Sequence, residues 1–357
     1  MKLFTLTIAA AGAAACAFGL VAVAGEAPST PLQKPEWAYA IPSTPPAPPR
    51  PAGAAAPPSD PTLHSLPGTD RRFTLDQVAG RRPPNSDALV GPADWYPGDH
   101  PPMPPIVAYG DRARGIVACS LCHYPNGKGR PENATVSGYP KDYLAQTLRD
   151  MRAGQRASAE PRKNNARAMV NFAKAMTDAE IEASAAYFSA IPFSPWVRVV
   201  ESRTAPKTKN MNGLLIPLEG AEGGMEPIGK RIVEVPVEPE RTELLRDPRS
   251  GYTAYVPPGS LAKGRVLATS GGARTIGCSL CHGADMNGVG PIPGIAGRSP
   301  TYMARQLNDF RQGARHGELS PLMRPVAAKL TDDDILNIVA YVASLPPRSG
   351  TGAVASR

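Results

Sequence analysis

The sequence is poor in the side chains that usually build a large core. Aromatic residues make up only 6% of the 357 positions, whereas 34 glycines and 42 prolines interrupt regular structure. The formal net charge is +8, but no dense run of lysines accompanies it, which argues against a nucleic-acid partner. There are only five cysteines, so a disulfide-rich framework is disfavoured as well. A chain of this length suggests two domains that need another source of apolar core.

One five-residue motif, Cys-x-x-Cys-His, occurs twice, as Cys119-Ser-Leu-Cys122-His123 and as Cys278-Ser-Leu-Cys281-His282. Cysteines three positions apart on a helical turn point to the same side, so both sulfurs can form thioethers with one porphyrin. The next residue brings an imidazole to the iron as its proximal ligand. A zinc site needs four ligands, and pooling the four cysteines into one site leaves both histidines unexplained. The motifs predict two covalently bound haem c groups.

The N-terminus has the features of a secretory signal peptide. Lys2 precedes an apolar stretch from Leu3 to Val23, and Ala22-Val23-Ala24 forms a cleavage site, so residues 1–24 are predicted to be removed. A retained anchor is the alternative, but no positive stop-transfer cluster follows the stretch. A lipoprotein cysteine at Cys16 is weakly indicated. Cleavage would leave four cysteines, all in the haem motifs, which fits export to the bacterial periplasm.

The stretch from 25 to 104 reads as a proline-rich arm, and 21 of the 42 prolines lie between Gly25 and Pro105. Residues 42–61 are predicted as polyproline II or a disordered tether. Phe73–Val78 is predicted to form a helical turn. Trp95 and Tyr96 are interpreted as anchors that fasten the arm to a folded domain; shielding of a haem edge is the alternative.

The segments around the two motifs form an internal repeat. A tyrosine stands 20 residues after each motif histidine, at Tyr143 and Tyr302, and opens a stretch with helical spacing of apolar residues. The first copy then has five extra residues, after which the register returns at Met169 and Met323. Two further helices are predicted eight residues later, each opened by a capping box, at Thr177-Asp-Ala-Glu180 and Thr331-Asp-Asp-Asp334.

The linker between the repeats, residues 196–257, differs in character from both. Val197–Glu201 and a segment beginning at Arg231 are predicted as short strands, and a hairpin is one way to arrange them. The linker is expected to wrap over both haem domains, because it is too long for a bare connection. Ser260 is predicted as the N-cap of the next helix, with Gly264 as a point of close packing.

Met169 and Met323 are the predicted sixth ligands, because the repeat places them identically, although a methionine at helical spacing is more often a core residue. Met176 aligns with Leu330 and is interpreted as a core residue. Met286 follows His282 too closely to reach the opposite haem face. His100 is the main rival ligand, and the remaining histidines are predicted to lie on the surface or in loops: His64 and His316.

Each repeat resembles a class I c-type cytochrome, and the tandem resembles the di-haem cytochromes of the c-four type. The resemblance rests on the haem motifs, the glycine and tyrosine that open the next helix, the methionines and the final helices. It implies an all-α fold with domains at 105–195 and 258–347 and a C-terminal tail at 348–357. It also implies His/Met ligation, with His123 paired to Met169 and His282 to Met323. In such domains a proline carbonyl often holds the proximal histidine, a role that Pro291 matches and that Glu132 leaves in doubt for the first repeat. Tyr143 and Tyr302 are expected near the ligands.

The matched His/Met ligand sets favour a one-electron carrier over an enzyme, because they leave no open position on the iron. The expected partners are redox proteins, a dehydrogenase or quinol-oxidising donor and a terminal acceptor, which dock through a basic surface. No small-molecule substrate is expected. A subunit of a larger, membrane-associated complex is the alternative, and a di-haem peroxidase is the less favoured one.

Overall fold

The computed structural model describes residues 34–41, 60–83, 88–211 and 213–348. The signal peptide, nearly all of the predicted tether at 42–61 and all but the first residue of the tail at 348–357 lie outside these ranges. The described residues belong to one compact unit. The domain boundaries stay a prediction.

Twelve helices occur in the described residues: α1 (Leu75–Val78), α2 (Pro105–Ala108), α3 (Cys119–His123), α4 (Lys141–Arg152), α5 (Asn164–Ala175), α6 (Asp178–Ser189), α7 (Pro239–Glu243), α8 (Ser260–Ser270), α9 (Ser279–His282), α10 (Pro300–Arg311), α11 (Ser320–Ala327) and α12 (Asp332–Ser344). Nine strands accompany them: β1 (Gly110–Asp111), β2 (Ile116–Val117), β3 (Val197–Glu201), β4 (Thr204–Pro206), β5 (Thr208–Met211), β6 (Leu214–Pro217), β7 (Met225–Pro227), β8 (Val233–Pro236) and β9 (Tyr252–Val256).

Each repeat builds a helical body around its own core. In the first, α4 and α6 pack together around Leu144, Ile181 and Phe188. In the second, α8 and α10 pack on α12 around Met303 and Ile335. Both capping boxes form, with Thr177 accepting from the Glu180 backbone and Thr331 from that of Asp334. The last helix of each body therefore begins where the sequence predicts.

The two bodies differ in their first helix. In the second repeat α8 runs for eleven residues, whereas its counterpart α2 has only four. Prolines at 101, 102, 104 and 105 explain the difference, since proline lacks a backbone donor and is tolerated only in the first turn of a helix. Ser260 is not the N-cap as predicted; Gly259, with φ of 83°, takes that position and Ser260 is the first helical residue.

The linker contains strands, as the sequence predicts at Val197–Glu201, and more of them than a single short hairpin would need. Strand β3 pairs parallel with β9, which pairs antiparallel with β8, while β4 pairs with β7 and β5 with β6 in two-stranded sheets. The linker contacts both bodies: the Trp196 indole donates to Gly129 O at 3.1 Å, and Glu234 accepts from Thr301 Oγ1 at 2.6 Å. Strands β3, β8 and β9 are rich in valine and tyrosine, which favour extended backbone.

The arm is fastened to the linker by Trp95. Its ring is 1% exposed, and its indole N–H donates to Leu245 O at 2.7 Å. The Tyr96 hydroxyl donates to Pro67 O at 2.7 Å, which ties two parts of the arm together. These residues share a small core with Leu66 and Val78, the last residue of α1. Trp95 thus anchors the arm, and the segment that accepts its hydrogen bond is the linker.

Gly264 is the point where α8 meets α12. A Cβ at this position would lie 1.9 Å from Asn337 O and 2.7 Å from Tyr341 Cβ. We expect Gly264→Ala to push the two helices apart and lower the free energy of unfolding by about 1–3 kcal/mol, as overpacking does. Denaturant unfolding of the haem-loaded protein measures this. Gly98→Ala is the matched control, because nothing lies within 4 Å of that added carbon. Equal loss in both variants would contradict the close-packing account.

Candidate haem-binding sites

Each haem motif forms one short helical turn: α3 is the whole of the first motif, and α9 covers the second motif from Ser279 onward. The four cysteines of the motifs are free thiols, available for thioether bonds. Burial raises the pKa of Cys119 to about 12 and that of Cys278 to about 11, so both sulfurs are protonated at neutral pH. The turn places two thiols and one imidazole on a single stretch of backbone, which is the donor set that a haem c requires.

The two motif histidines are held in the same way. His123 and His282 are each 8% exposed. The Nδ1 of His123 lies 2.8 Å from Ala134 O, and that of His282 lies 2.8 Å from Pro293 O. Burial lowers the pKa of both imidazoles, which favours the neutral ring. A neutral imidazole that donates through Nδ1 keeps Nε2 as the nitrogen able to bind iron.

The prediction for Pro291 is wrong, because the carbonyl that accepts from His282 belongs to Pro293. Val289 and Ile292 exchange backbone hydrogen bonds in a tight turn, and Pro291 sits exposed at its tip. The acceptor is a backbone carbonyl, so the residue type matters little, and the first repeat has the same bond through Ala134. The signal in the sequence was the equal spacing, eleven residues after each histidine.

Met169 lies on α5 and Met323 on α11, and both side chains are half-buried. Met176 and Met286 lie in the two cores, 7% and 0% exposed. Both repeat-related positions are partly buried, which is compatible with Met169 and Met323 as the sixth ligands; these stay a prediction.

The other histidines offer weaker candidates. His100 has both ring nitrogens engaged, Nδ1 at 2.9 Å from Pro101 O and Nε2 at 3.2 Å from Asp94 Oδ1. His64 is half-buried and His316 is exposed. Since a ligand needs a free nitrogen, the contacts of His100 disfavour it as a rival to Met169.

The two repeats meet along a short antiparallel backbone pairing. Arg156 and Arg315 stand opposite each other there, and the flanking bonds run from Ala157 N to Ala314 O at 2.9 Å and from His316 N to Gln155 O at 2.8 Å. The two arginines are related by the repeat, each two residues after the glycine that ends α4 or α10. The junction therefore has local two-fold symmetry, which the sequence analysis missed although the equal spacing was visible.

Tyr143 and Tyr302, which are expected near the haem ligands of their own repeats, lie at this junction between the repeats. Arg156 Nη2 donates to the Tyr302 hydroxyl at 3.1 Å, and Arg315 Nη2 donates to the Tyr143 hydroxyl at 3.1 Å. Burial alone would raise the pKa of Tyr143, but the charges of Arg315 and Arg156 outweigh it and lower that pKa to about 7. Each tyrosine thus contacts an arginine of the other repeat.

The junction is rich in cations that suit the carboxylates of a haem. Arg156 is 6% exposed and gives its side-chain hydrogen bonds to neutral oxygens, including Thr147 Oγ1 at 2.6 Å and Gln306 Oε1 at 3.1 Å. Arg315 likewise donates to Gln306 Oε1, at 3.2 Å. Guanidinium groups bind carboxylates strongly, so a haem propionate would find a ready donor here. The thiols, the fixed imidazoles and these cations together fit a haem c.

We expect Arg156→Ala to destabilise the contact between the repeats. Its removal takes this donor away from the Thr147 and Tyr302 oxygens and leaves Gln306 Oε1 with Arg315 alone, at about 1–3 kcal/mol for a buried group that loses its partner. Chemical unfolding of the haem-loaded protein measures the loss. Arg167→Ala is the matched control, because Arg167 is exposed and its side chain donates to Asn164 Oδ1 on its own helix, at 2.7 Å. An unfolding midpoint that is the same in both variants would argue against the junction as a source of stability.

Comparison with known proteins agrees with this geometry. The family model described as cytochrome c matches residues 110–191 and 262–346. Cytochrome c-554(548) of Halomonas halodenitrificans is 43% identical over 68 residues, which are 19% of this chain and 82% of that protein. Cytochrome c4 of Azotobacter vinelandii is 27% identical over 246 residues, 67% of this chain and 90% of that protein. A thiosulfate dehydrogenase electron acceptor of Stutzerimonas stutzeri is 38% identical over 89 residues, 24% of this chain and 40% of that protein.

Each of the two matched regions contains one complete haem motif and its buried histidine. The Azotobacter vinelandii relative matches over 246 residues, more than one repeat contains, while the shorter cytochrome matches over 68. The resemblance stated from the sequence is confirmed, as is the number of haems. The chain belongs to the cytochrome c family, as a di-haem c-type cytochrome similar to cytochrome c4, with two covalently attached haem c groups.

Proposed function

We propose that this protein relays single electrons between a donor and an acceptor protein through two six-coordinate haems. The observation that carries the proposal is the identical setting of His123 and His282, with Nδ1 held by a carbonyl at 2.8 Å in both repeats. A bound haem supplies the redox change, between ferric and ferrous iron. Ligand sets that are the same in both domains suit a carrier and give no support to a peroxidase, which needs one haem that opens.

The residues of each site have defined roles in this proposal. Cys119 and Cys122 bind the first haem covalently, with His123 and Met169 as its axial ligands. The second site repeats the arrangement with Cys278, Cys281, His282 and Met323. The chain keeps each imidazole oriented and each haem packed in an apolar core, so that oxidation and reduction need little rearrangement. We further propose haem domains at 105–195 and 258–347, joined by the linker at 196–257.

The donor is proposed to be a dehydrogenase or a quinol-oxidising complex, and the acceptor a terminal oxidase or a comparable redox protein. Two relatives, from Stutzerimonas stutzeri and Thiomonas intermedia, are named as electron acceptors of thiosulfate dehydrogenase, which supports a dehydrogenase as donor. The formal charge of +8 supports docking through a basic surface. A permanent subunit of a larger complex has no specific contact in its favour.

The proposed location is the periplasm, after cleavage of residues 1–24. Four cysteines would then remain, all of them in the haem motifs, as an exported c-type cytochrome requires. Across the described residues, no helix combines the length and apolar character needed to cross a membrane.

A spectroelectrochemical titration of the purified protein, with a pyridine haemochrome count, tests the function. We expect two haems per chain, low-spin in both oxidation states, and the weak absorption band that marks methionine bound to ferric iron. The titration should show two one-electron steps, one for each haem. A haem that turns high-spin on partial reduction and then consumes peroxide would favour the enzyme instead.

We expect Met169→His to lower the potential of one haem and leave the other unchanged. Methionine opposite histidine raises the potential relative to histidine on both faces. The shift should be a measurable part of the roughly 0.8 V that axial ligands span. Met323→His should affect the other step in the same way. Met176→Leu is the control, because Met176 is a buried core residue and the second repeat has leucine there. Unchanged potentials in both histidine variants would exclude these methionines as ligands.

A further inference from the structure

Positions that the repeat makes equivalent differ strongly in exposure around the two haem motifs. Leu280, between the cysteines of the second motif, is 77% exposed, whereas its counterpart Leu121 is half-buried. Pro291 is exposed, whereas its counterpart Glu132 is only 3% exposed. The two motifs share their local fold, so the difference comes from what covers them.

The linker covers the first motif and the loop after it. Arg246 Nη1 donates to Leu121 O at 2.7 Å, between the two cysteines. Asn126 Nδ2 donates to Pro248 O at 3.0 Å, and the Trp196 indole lies over the same loop, with its N–H bonded to Gly129 O. Three direct hydrogen bonds therefore hold the linker against this face of the first repeat.

The arm extends the cover to the outer edge of the first motif. A cleft of about 260 Å³ there has Val117 and Leu121 on one side and arm residues, including Arg81 and Val90, on the other. Arg112 Nη2 donates to Gly80 O at 2.6 Å across it. Arm and linker are joined by the bond from Trp95 to Leu245 O, one residue before Arg246. They form one continuous cover over the first motif.

The corresponding face of the second repeat is open and apolar. We call this surface the open face; its exposed residues are Val266 at 54%, Ile276 at 49%, Leu280 at 77% and Leu322 at 62%. It joins the two segments that carry the predicted ligands of the second haem, since Leu280 precedes Cys281 and Leu322 precedes Met323. Thr275 Oγ1 donates to Val326 O at 3.0 Å and holds these segments side by side. Exposed apolar side chains grouped in this way mark an interaction site.

The charges around the open face have one predominant sign. Residues 260–280 and 316–330 contain five lysines and arginines and a single carboxylate, Glu318. Arg274 is paired with Asp334 at 3.2 Å, which leaves Lys263, Arg265, Arg324 and Lys329 to set the sign of the charge. Arg324 and Lys329 are exposed, one on α11 and one in the turn after it. An apolar centre with a basic surround is complementary to a protein that carries an apolar contact patch within an acidic rim.

We propose that the open face is the docking surface for an acidic redox protein, and that the cover of arm and linker closes the equivalent face of the first repeat. Electrons exchanged with that protein pass through the second haem domain. The inference rests on the proposed electron-transfer function and adds which domain faces the partner. The apolar contacts would hold the two proteins together, and the basic surround would speed their encounter at low ionic strength.

Reduction by flavodoxin hydroquinone, an acidic one-electron donor protein, tests the proposal on the full haem-loaded chain. We expect Ile276→Glu to slow the second-order rate at low salt by about tenfold, because it places a carboxylate on the apolar centre and repels the donor. Lys329→Glu should add to the effect. Val117→Glu is the matched control, since Val117 is the counterpart of Ile276 and is 38% exposed; its rate should stay within about twofold of wild type.

Two further measurements separate the outcomes. Dithionite, a small reductant, should reduce both haems equally in all variants; failure in the unsubstituted protein would count against electron transfer itself rather than the docking face. Equal slowing by Ile276→Glu and Val117→Glu, with small-molecule reduction intact, would overturn the docking assignment alone. Binding to phosphatidylglycerol vesicles that Ile276→Glu abolishes, without any effect on the flavodoxin rate, would instead assign the open face to a lipid surface.

Discussion

The antiparallel pairing at Arg156 and Arg315 is the contact on which the arrangement of the two haem domains depends. It joins residues that the repeat makes equivalent, so each domain offers the other the same groups: a backbone edge, an arginine and a tyrosine. A contact of this kind is self-complementary, as in a symmetric dimer. Because it is built within one chain, it holds the repeats together at any protein concentration.

Burying guanidinium groups at this junction has an electrostatic cost that its neutral hydrogen-bond partners offset only in part. The carboxylates of two haems are the natural complement to that charge. Haem binding and domain pairing are therefore expected to support each other, since a chain without haem would keep these cations beside tyrosine and glutamine oxygens and the buried carboxyl of Asp309. This gives a physical reason for a carrier with two haems to keep both repeats in one compact unit.

The symmetry of the junction is broken elsewhere, by the arm and the linker. Proline shortens the first helix of the first repeat, and the arm before it is anchored to the linker through Trp95. The linker then covers the loop after the first motif. Two similar electron-transfer sites thus acquire different surroundings, one enclosed by the chain and one open to solvent. Such a difference would direct electron flow without any change in the ligands.

The sequence alone determined what depends on local spacing. The haem motifs, the equal offsets to Met169 and Met323 and the capping boxes at Thr177 and Thr331 can all be read from residues less than a few turns apart, because helical geometry relates them directly. Only the tertiary structure decided the contacts between distant segments. It replaced Pro291 by Pro293 as the acceptor for His282, since a backbone carbonyl carries no residue signature. It decided how the linker strands pair, with β3 beside β9 across more than fifty residues. It also brought together the tyrosines and arginines of different repeats and covered one motif rather than both, because such contacts follow from packing that no local pattern encodes.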